Sequence, residues 1–261
     1  MKLIPENFQM MNIVSDCSTL RQLRSSLTQQ SIGFVPTMGN LHAGHASLFT
    51  RARAENKIVI VSIFINPTQF NQSSDYANYP KTLDADIALL EELNIDYLFL
   101  PESSEIYADD YQIQIHETEL SKELEGTFRP GHFSGMLTIV LKLLNLTQPQ
   151  RAYFGEKDFQ QFLLVKKMAE ALFLPTTIIP CPTIRAANGL ALSSRNNRLN
   201  SEQKIMAALL PKVLHSNNDL EQINQQLIDA GFVVEYVADR WNRRLAAVWL
   251  NDVRLIDNIP L

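Results

Sequence analysis

A chain of 261 residues, 46% hydrophobic and 20% charged, has room for one large soluble domain or two ordinary ones, and no stretch of it has the apolar length needed to span a bilayer. Its formal net charge of -5 supplies no global basic field, which argues against a nucleic-acid interface, and Cys17 and Cys181 are too few and too far apart for a disulfide framework or a four-ligand zinc site. The opening Met1-Lys-Leu-Ile-Pro-Glu6 lacks the apolar core of a secretion signal, and with the sparse cysteines it points to a cytoplasmic protein without a membrane partner.

In chain order, Ile32-Gly-Phe-Val35 is the first run with strand character. It leads into Pro36-Thr-Met-Gly-Asn-Leu-His-Ala-Gly-His45, and a helix is expected over Gly44 to Glu55. A strand that ends in a glycine-bearing turn and opens a helix is a natural anion site, because the free N–H groups of the first turn and the positive dipole end point at the ligand. Imidazoles at i and i+3 share one helical face, so His42 and His45 can reach one ligand, and the pattern suits a polyphosphate better than a metal. Alone, the same motif also fits two surface histidines or half a zinc site.

Ile58-Val-Ile-Val-Ser-Ile-Phe-Ile65 is apolar on both faces, as a buried parallel strand requires, and the strand is read over residues 57–65. Asn66-Pro67 forces the chain out of the sheet and leaves Asn66 and Gln69 at a strand's carboxyl end. Their amides suit neutral polar groups and carboxylates, although an ordinary turn fits equally well. Leu83, Ile87, Leu90 and Leu93 repeat at helical spacing and predict a helix over Thr82 to Leu93. Asp75, Asp84 and Asp86 flank Tyr79-Pro-Lys-Thr82; one of them could meet a magnesium ion carried by phosphates, while Asp84 and Asp86 also suit a helix start.

A strand follows at Tyr97 to Leu100, and Arg129-Pro-Gly-His-Phe133 then precedes a helix from Ser134 to Leu146, either as an anion contact or as a rigid turn. After a strand at Ala152 to Phe154, Gly155-Glu-Lys-Asp-Phe-Gln-Gln161 repeats the strand–turn–helix layout, with a helix over Phe159 to Leu172. Lys157 opposes the dipole at a helix start, so an anionic ligand would compensate it; a solvated pair with Glu156 or Asp158 is the alternative. Strand and helix in alternation predict an α/β fold, a Rossmann-like doubly wound parallel sheet over residues 1–184, with ligands at the carboxyl ends of its strands.

Near Ile184 the texture changes. Arg185 to Asn200 is polar, and Leu192-Ser-Ser-Arg-Asn196 places two hydroxyls and a guanidinium side by side, as a mobile phosphate clamp or as a plain cap and linker. Helices over Ser201 to His215 and Asp219 to Ala230, then strands over Phe232 to Ala238, Leu245 to Leu250 and Val253 to Ile256, predict a smaller α+β domain, 185–261, acting as a lid.

Six blocks between Pro36 and Asn196 resemble, in order, those of the pantoate–β-alanine ligase family of the H-x-G-H nucleotidyltransferase superfamily. They are Pro-Thr-Met-Gly-Asn-Leu-His-Ala-Gly-His, Ser-Ile-Phe-Ile-Asn-Pro-Thr-Gln-Phe, Tyr-Pro-Lys-Thr-Leu, Arg-Pro-Gly-His-Phe-Ser-Gly, Tyr-Phe-Gly-Glu-Lys-Asp-Phe-Gln-Gln and Gly-Leu-Ala-Leu-Ser-Ser-Arg-Asn. The resemblance implies an ATP-dependent ligase of pantothenate biosynthesis. It would condense (R)-pantoate with β-alanine through a pantoyl adenylate, releasing AMP and pyrophosphate, with magnesium as cofactor and a homodimer as the working form. By motif position, Met38, Gly39, Asn40, Leu41, His42, Ala43, Gly44 and His45 would form an ATP-binding turn, and Gly155, Glu156, Lys157, Asp158, Ile184, Leu192, Ser193, Ser194 and Arg195 would complete the ATP site. Gln69 and Gln161 would hold pantoate, with Gln69 also near β-alanine. His42, His45, Lys157 and Arg195 would be catalytic, His45 as proton donor, and Asp86 would contact magnesium.

The chain departs from the family pattern at Lys81, at Asn188 before Gly189 and at Gln150-Arg151, and the stretch from Asp219 to Phe232 is short. Two other readings compete: an adenylyltransferase acting on a phosphorylated acceptor, and an RNA-binding relative of tRNA synthetases. Gln69 and Gln161, where a phosphate would call for Lys or Arg, weigh against the first, and the acidic balance against the second.

Overall fold

Six short apolar runs pair into one parallel sheet, in a computed structural model that describes residues 11–71 and 73–261; the segment read for a secretion signal lies outside the described residues. The strands are β1 (Asn12–Val14), β2 (Ile32–Thr37), β3 (Ile58–Ile63), β4 (Tyr97–Phe99), β5 (Arg151–Gly155) and β6 (Thr177–Cys181), in the order β1-β4-β3-β2-β5-β6. Chain direction across the sheet reverses between β2 and β5, which pair through Gly33 with Arg151 and Phe34 with Ala152. Helices α1 (Cys17–Ser26), α2 (Ala43–Glu55), α3 (Ser73–Ala77), α4 (Leu83–Glu92), α5 (Ser103–Ile106), α6 (Glu125–Phe128), α7 (His132–Thr147) and α8 (Phe159–Ala171) form the connections.

The strands are apolar on both faces because both faces are covered. Ile32, Phe34 and Ile60 enter one core with Leu20 of α1, Leu137 of α7 and Val165 of α8. Their neighbours Val35, Val59 and Val61 enter a second core with Phe49 and Ala52 of α2 and Leu90 of α4. Fully burying one such large side chain contributes about 1.5–3 kcal/mol. The doubly wound sheet expected from the sequence is therefore present, with two strands, helix α1 and the short helices α3, α5 and α6 added. Strands β1 and β6 and helix α1 escape the periodicity: β1 has three residues, and β6 carries Pro180, which an edge strand tolerates.

Residues after the connector form the expected smaller α+β unit. Helices α9 (Ser201–Ala207), α10 (Leu209–Leu214) and α11 (Leu220–Asp229) precede an antiparallel sheet of β7 (Val233–Arg240), β8 (Arg243–Leu250) and β9 (Val253–Pro260). Leu210, Leu214, Ile223, Leu227, Val248 and Leu255 build a core separate from the other two. The single helix expected over 201–215 is two, since Pro211 would set its ring against the carbonyl of Ala207 in a continuous helix.

A buried ionic group fastens this unit to the large one. Arg254 of β9 grips the Glu125 carboxylate with both guanidinium nitrogens, at 2.7 and 2.8 Å, and Tyr236 donates to it at 2.8 Å. Arg254 also reaches Glu235 at 2.6 Å, and Arg129 approaches Glu125 at 3.4 Å. Burial alone would raise the Glu125 carboxyl; the bonds and charge of Arg254, with Arg129 behind it, outweigh burial and hold it at about 2. Its contribution to stability is therefore present above the ordinary value of 4.5 and lost as pH falls from there towards 2. Glu125→Ala, which leaves two guanidiniums facing each other, is expected to lower the unfolding free energy in urea by about 3 kcal/mol, and a loss below about 1 kcal/mol would show the pair to be solvated.

Candidate active site

The carboxyl ends of β2, β3, β5 and β6 open onto one cavity of about 260 Å³, at the point where strand order reverses. Each of the four chain segments that leave these strands contributes to its wall.

After β2 the chain turns through Gly39 (φ 76°) and Asn40 (φ 50°) before α2. Asp86, from the first turn of α4, lies beneath this turn and is 3% exposed. Its carboxylate accepts the N–H groups of Asn40 (2.9 Å) and Leu41 (2.8 Å) and the Thr82 hydroxyl (3.1 Å). A Cβ on Gly39 would stand 3.0 Å from that carboxylate, at a backbone angle that L side chains rarely adopt. Asp86, expected as a magnesium contact, uses both of its oxygens as acceptors for this turn. Gly39, Asn40 and Leu41 shape that turn and do not line the cavity, and Ala43 begins α2 outside the lining.

His42 is the N-cap of α2. Its Nδ1 accepts the Gly44 N–H at 3.1 Å, and its own N–H donates to the Nδ1 of His45 at 3.4 Å. The two rings are therefore joined through a capping box and not through a shared helical face, with centroids 4.2 Å apart. Because each Nδ1 receives a backbone N–H, each neutral ring carries its proton on Nε2, as a donor. Burial, reinforced by the neighbouring His42 and by Lys157, pushes the pKa of His45 down to about 3; burial and then the Lys157 charge also lower that of His42.

After β5, Gly155 leads into a helical turn, Glu156–Asp158, that abuts α8. Glu156 does not pair with Lys157; it binds Arg243 of β8 at 2.8 Å and stays outside the cavity lining. Among the described residues the Lys157 ammonium has no hydrogen bond or ion pair, and it faces the cavity with Gly155 and Asp158. The backbone of the turn is held from the small unit: the Asn258 amide donates to the carbonyls of Glu156 and Lys157, each at 2.9 Å, and Arg243 donates to the Asn258 oxygen at 2.8 Å.

The connector returns over the first turn. Ser194 donates to the Asn40 carbonyl at 3.1 Å, Ser193 caps its own turn by accepting the Arg195 N–H at 3.3 Å, and Ile184, Leu192 and Arg195 join the lining. Arg195 shares Asp75 at 3.3 Å, a half-exposed contact that costs little to exchange for a ligand. Across the cavity, Gln69 donates to the Met38 sulfur and accepts from Asn66, both at 3.0 Å. Gln161 of α8 lines the same cavity with no hydrogen-bond partner of its own among the described residues. Glycine is required at 135 on α7, since a Cβ there would stand 2.3 Å from the Thr68 carbonyl beside Gln69.

Two further lining residues were visible only as part of a turn motif. Arg129 brings a third cation to the cavity, and burial lowers its pKa. His132 opens α7 two residues before the expected start, because Gly131 takes a left-handed backbone (φ 82°) as its N-cap. Its Nδ1 meets the Gln69 carbonyl at 2.8 Å, so this neutral ring carries its proton on Nδ1, the reverse of His42 and His45; burial, together with the Arg129 charge, puts its pKa at about 3.

A family model described as pantoate-beta-alanine ligase matches residues 12–260. The pantothenate synthetases of Legionella pneumophila (strain Lens) and Coxiella burnetii (strain RSA 493) are each 49% identical; the first alignment covers 96% of this chain and 100% of the relative, the second 96% and 97%. The pantoate-beta-alanine ligase of Francisella tularensis, crystallised with beta-gamma ATP and beta-alanine, superposes with a TM-score of 0.91 at 45% identity, covering 96% of this chain and 97% of that one. The pantothenate synthetase of Thermus thermophilus gives 0.87 at 38%, with 96% and 99% covered. The chain belongs to the pantoate–β-alanine ligase family.

The imidazole assignment is testable in the ligand-free protein. Histidine 15N spectra at pH 7 are expected to show His42 and His45 neutral with the proton on Nε2, and His45 still neutral at pH 5. A His45 cation at that pH would overturn the burial argument. Because the unfolded chain takes up this proton below 6.5 and the folded one only near 3, acid in that window weakens folding.

Proposed function

We propose that this cavity joins (R)-pantoate to β-alanine at the expense of ATP, in two steps and with all three substrates held by the same four strand ends. One observation carries the reading: two neutral Nε2–H donors, a Lys157 ammonium unpaired among the described residues, the Arg195 guanidinium and the amides of Gln69 and Gln161 line the same cavity. The ligands named for the Francisella relative support the choice of nucleotide and amine.

In the first step a pantoate carboxylate oxygen attacks the α-phosphorus of ATP, and the bond to the β-phosphate oxygen breaks, leaving pantoyl adenylate and pyrophosphate. Such a displacement needs alignment and charge stabilisation more than a strong base. Lys157 and Arg195 take the charge that leaves with pyrophosphate, while the N-terminus of α2, His42 and His45 donate hydrogen bonds to phosphate oxygens. A neutral imidazole is too weak an acid to surrender its Nε2 proton, so His45 acts by donating a hydrogen bond unless the bound triphosphate recharges the ring. In the second step the amine of β-alanine attacks the acyl carbon, the carbon–oxygen bond to AMP breaks, and the nitrogen loses a proton. Gln69 and Gln161 select a small hydroxy acid, since an analogue lacking the hydroxyls would leave their amides, that of Gln69 buried, without a partner. Arg129, beside Gln69, provides a cation for the β-alanine carboxylate.

Magnesium is proposed to arrive with the triphosphate. No group of three His, Cys, Asp or Glu side chains among the described residues is placed to hold a metal ion, so its ligands would be phosphate oxygens and water. Residues 1–184 bind nucleotide and pantoate, and 185–261 close over them through the Ser194 contact, shielding a hydrolysable adenylate from water. A cytoplasmic homodimer is the proposed working form; no helix among the described residues is long and apolar enough to cross a membrane.

Labelled pyrophosphate is expected to exchange into ATP when pantoate is present and β-alanine absent. Folded protein with no exchange would overturn the two-step reading, and a dinucleotide product instead of free AMP would favour an adenylyltransferase. Lys157→Ala is expected to lower kcat about 10²–10³-fold and to leave the KM for pantoate within about threefold, whereas Gln161→Ala raises that KM with little change in kcat. Equal losses in both parameters for Lys157→Ala would assign the ammonium to ground-state binding.

A further inference from the structure

We infer that Tyr107, a core residue outside every motif and outside the cavity lining, is a positioning residue that fixes which end of the Gln69 amide faces the substrate. The inference rests on Gln69 contacting pantoate and goes beyond it to what orients that contact.

A glutamine amide presents a donor or an acceptor depending on a rotation that its own chemistry leaves nearly free. At Gln69 the rotation is decided by a chain of partners. Asn66 donates from its amide nitrogen to the Gly135 carbonyl (3.2 Å) and to the Gln69 oxygen (3.0 Å). The Asn66 oxygen faces two hydroxyls, those of Tyr107 (2.6 Å) and Thr68 (3.0 Å). These hydroxyls lie 3.1 Å from each other. Only one proton can be used between them, so at least one hydroxyl always donates to Asn66. Asn66 therefore cannot rotate without setting its oxygen against the Gly135 carbonyl, and a rotated amide would also lose the hydrogen bond that Tyr107 or Thr68 donates to its oxygen. With Asn66 fixed, the Gln69 oxygen must accept, and its NH2 is left for the Met38 sulfur and the cavity. The substrate consequently meets a donor, which suits a carboxylate or the lone pairs of a hydroxyl.

Tyr107 is suited to this task. It is 8% exposed, its ring packs edge-on against Tyr111 at 5.3 Å, and the Lys142 ammonium sits 4.9 Å from its centroid. Burial pushes its phenol up to about 12, so the proton is retained at working pH. Asn66 and Gln69 are themselves buried, so no water competes for the amides at low cost.

The test is a cycle. Tyr107→Phe keeps the ring and removes the hydroxyl; it is expected to raise the KM for pantoate about tenfold with kcat within about twofold. Tyr111→Phe, which removes a neighbouring hydroxyl that does not reach Asn66, is expected to leave both unchanged. In a Gln69→Ala background, Tyr107→Phe should have no further effect on that KM. An equal rise in both backgrounds would overturn the relay in favour of a general loss of packing. If Gln69→Ala alone leaves the pantoate KM unchanged, the substrate contact fails, and the relay is judged on the ligand-free protein. There the Gln69 side-chain NH2 resonances should shift or broaden in Tyr107→Phe and not in Tyr111→Phe. Unchanged resonances would overturn it.

Discussion

Parallel pairing of β2 with both β3 and β5 is the constraint on which the rest of the molecule depends. Parallel strands put all their carboxyl ends on one side, and the reversal of chain order at β2 leaves the loops after β2 and β5 diverging with a cleft between them. Whatever follows each strand is thereby brought together: the histidine cap after β2, the amides after β3, the lysine turn after β5, and the connector after β6. Local helix geometry adds its own field, because α2 and α8 begin at this edge with their unpaired N–H groups and positive dipole ends. A chain with a net charge of -5 thus presents a locally cationic cavity, lined by Lys157, Arg129 and Arg195. Overall charge says little about such a site, since the field inside a cleft is set by the nearest few groups.

The second sheet has a different task. Many of its contacts with the large unit are polar and several are buried: Arg254 on Glu125, Arg243 on Glu156, and Asn258 on the carbonyls of Glu156 and Lys157. Buried ion pairs are poor sources of net stability, because desolvation consumes most of the attraction. They are good sources of register, since a displaced guanidinium loses two directed bonds at once. The arrangement fits a unit that must return to one orientation relative to the lysine turn. Strand β9 therefore acts on a loop a hundred residues away by defining where its backbone lies, without placing a side chain on the phosphate.

Legibility in the sequence followed the range of the forces involved. Strands β2, β3, β4 and β5 and helices α2, α4, α7 and α8 were readable because periodic burial writes itself into consecutive residues. Strands β1 and β6 were not, being short edge strands that need no continuous apolar run. His42, His45, Lys157, Ser193, Ser194, Arg195, Gln69 and Gln161 were readable as chemistry at strand ends, and all line the cavity. The hold of Asp86 on the phosphate turn was not legible, because a carboxylate at a helix start is equally suited to a cation and to two backbone N–H groups, and only the third dimension places the N–H groups of Asn40 and Leu41 above it. Glu156 and the partners of Asn66 show the same limit: Arg243 and Tyr107 are remote in the chain, and no local pattern announces such pairs.

The electrostatics also explain why the histidines at the phosphate turn are neutral. Three cations already face the cavity, and two of them share carboxylates with Asp75 and Glu125. A further fixed positive charge on His45 would have to be stabilised in a buried place next to Lys157, which is why its pKa falls to about 3. A neutral Nε2–H is the cheaper device: it is directional, it does not repel Lys157, and it keeps its strength in a site with little water. The two kinds of group then divide the work. In the proposed reaction, imidazoles and helix N–H groups would hold the triphosphate in line without binding it so strongly that pyrophosphate cannot leave. The ammonium and guanidinium would respond to the charge that accumulates only as the α–β bond breaks, and binding that strengthens in the transition state is the kind that raises turnover.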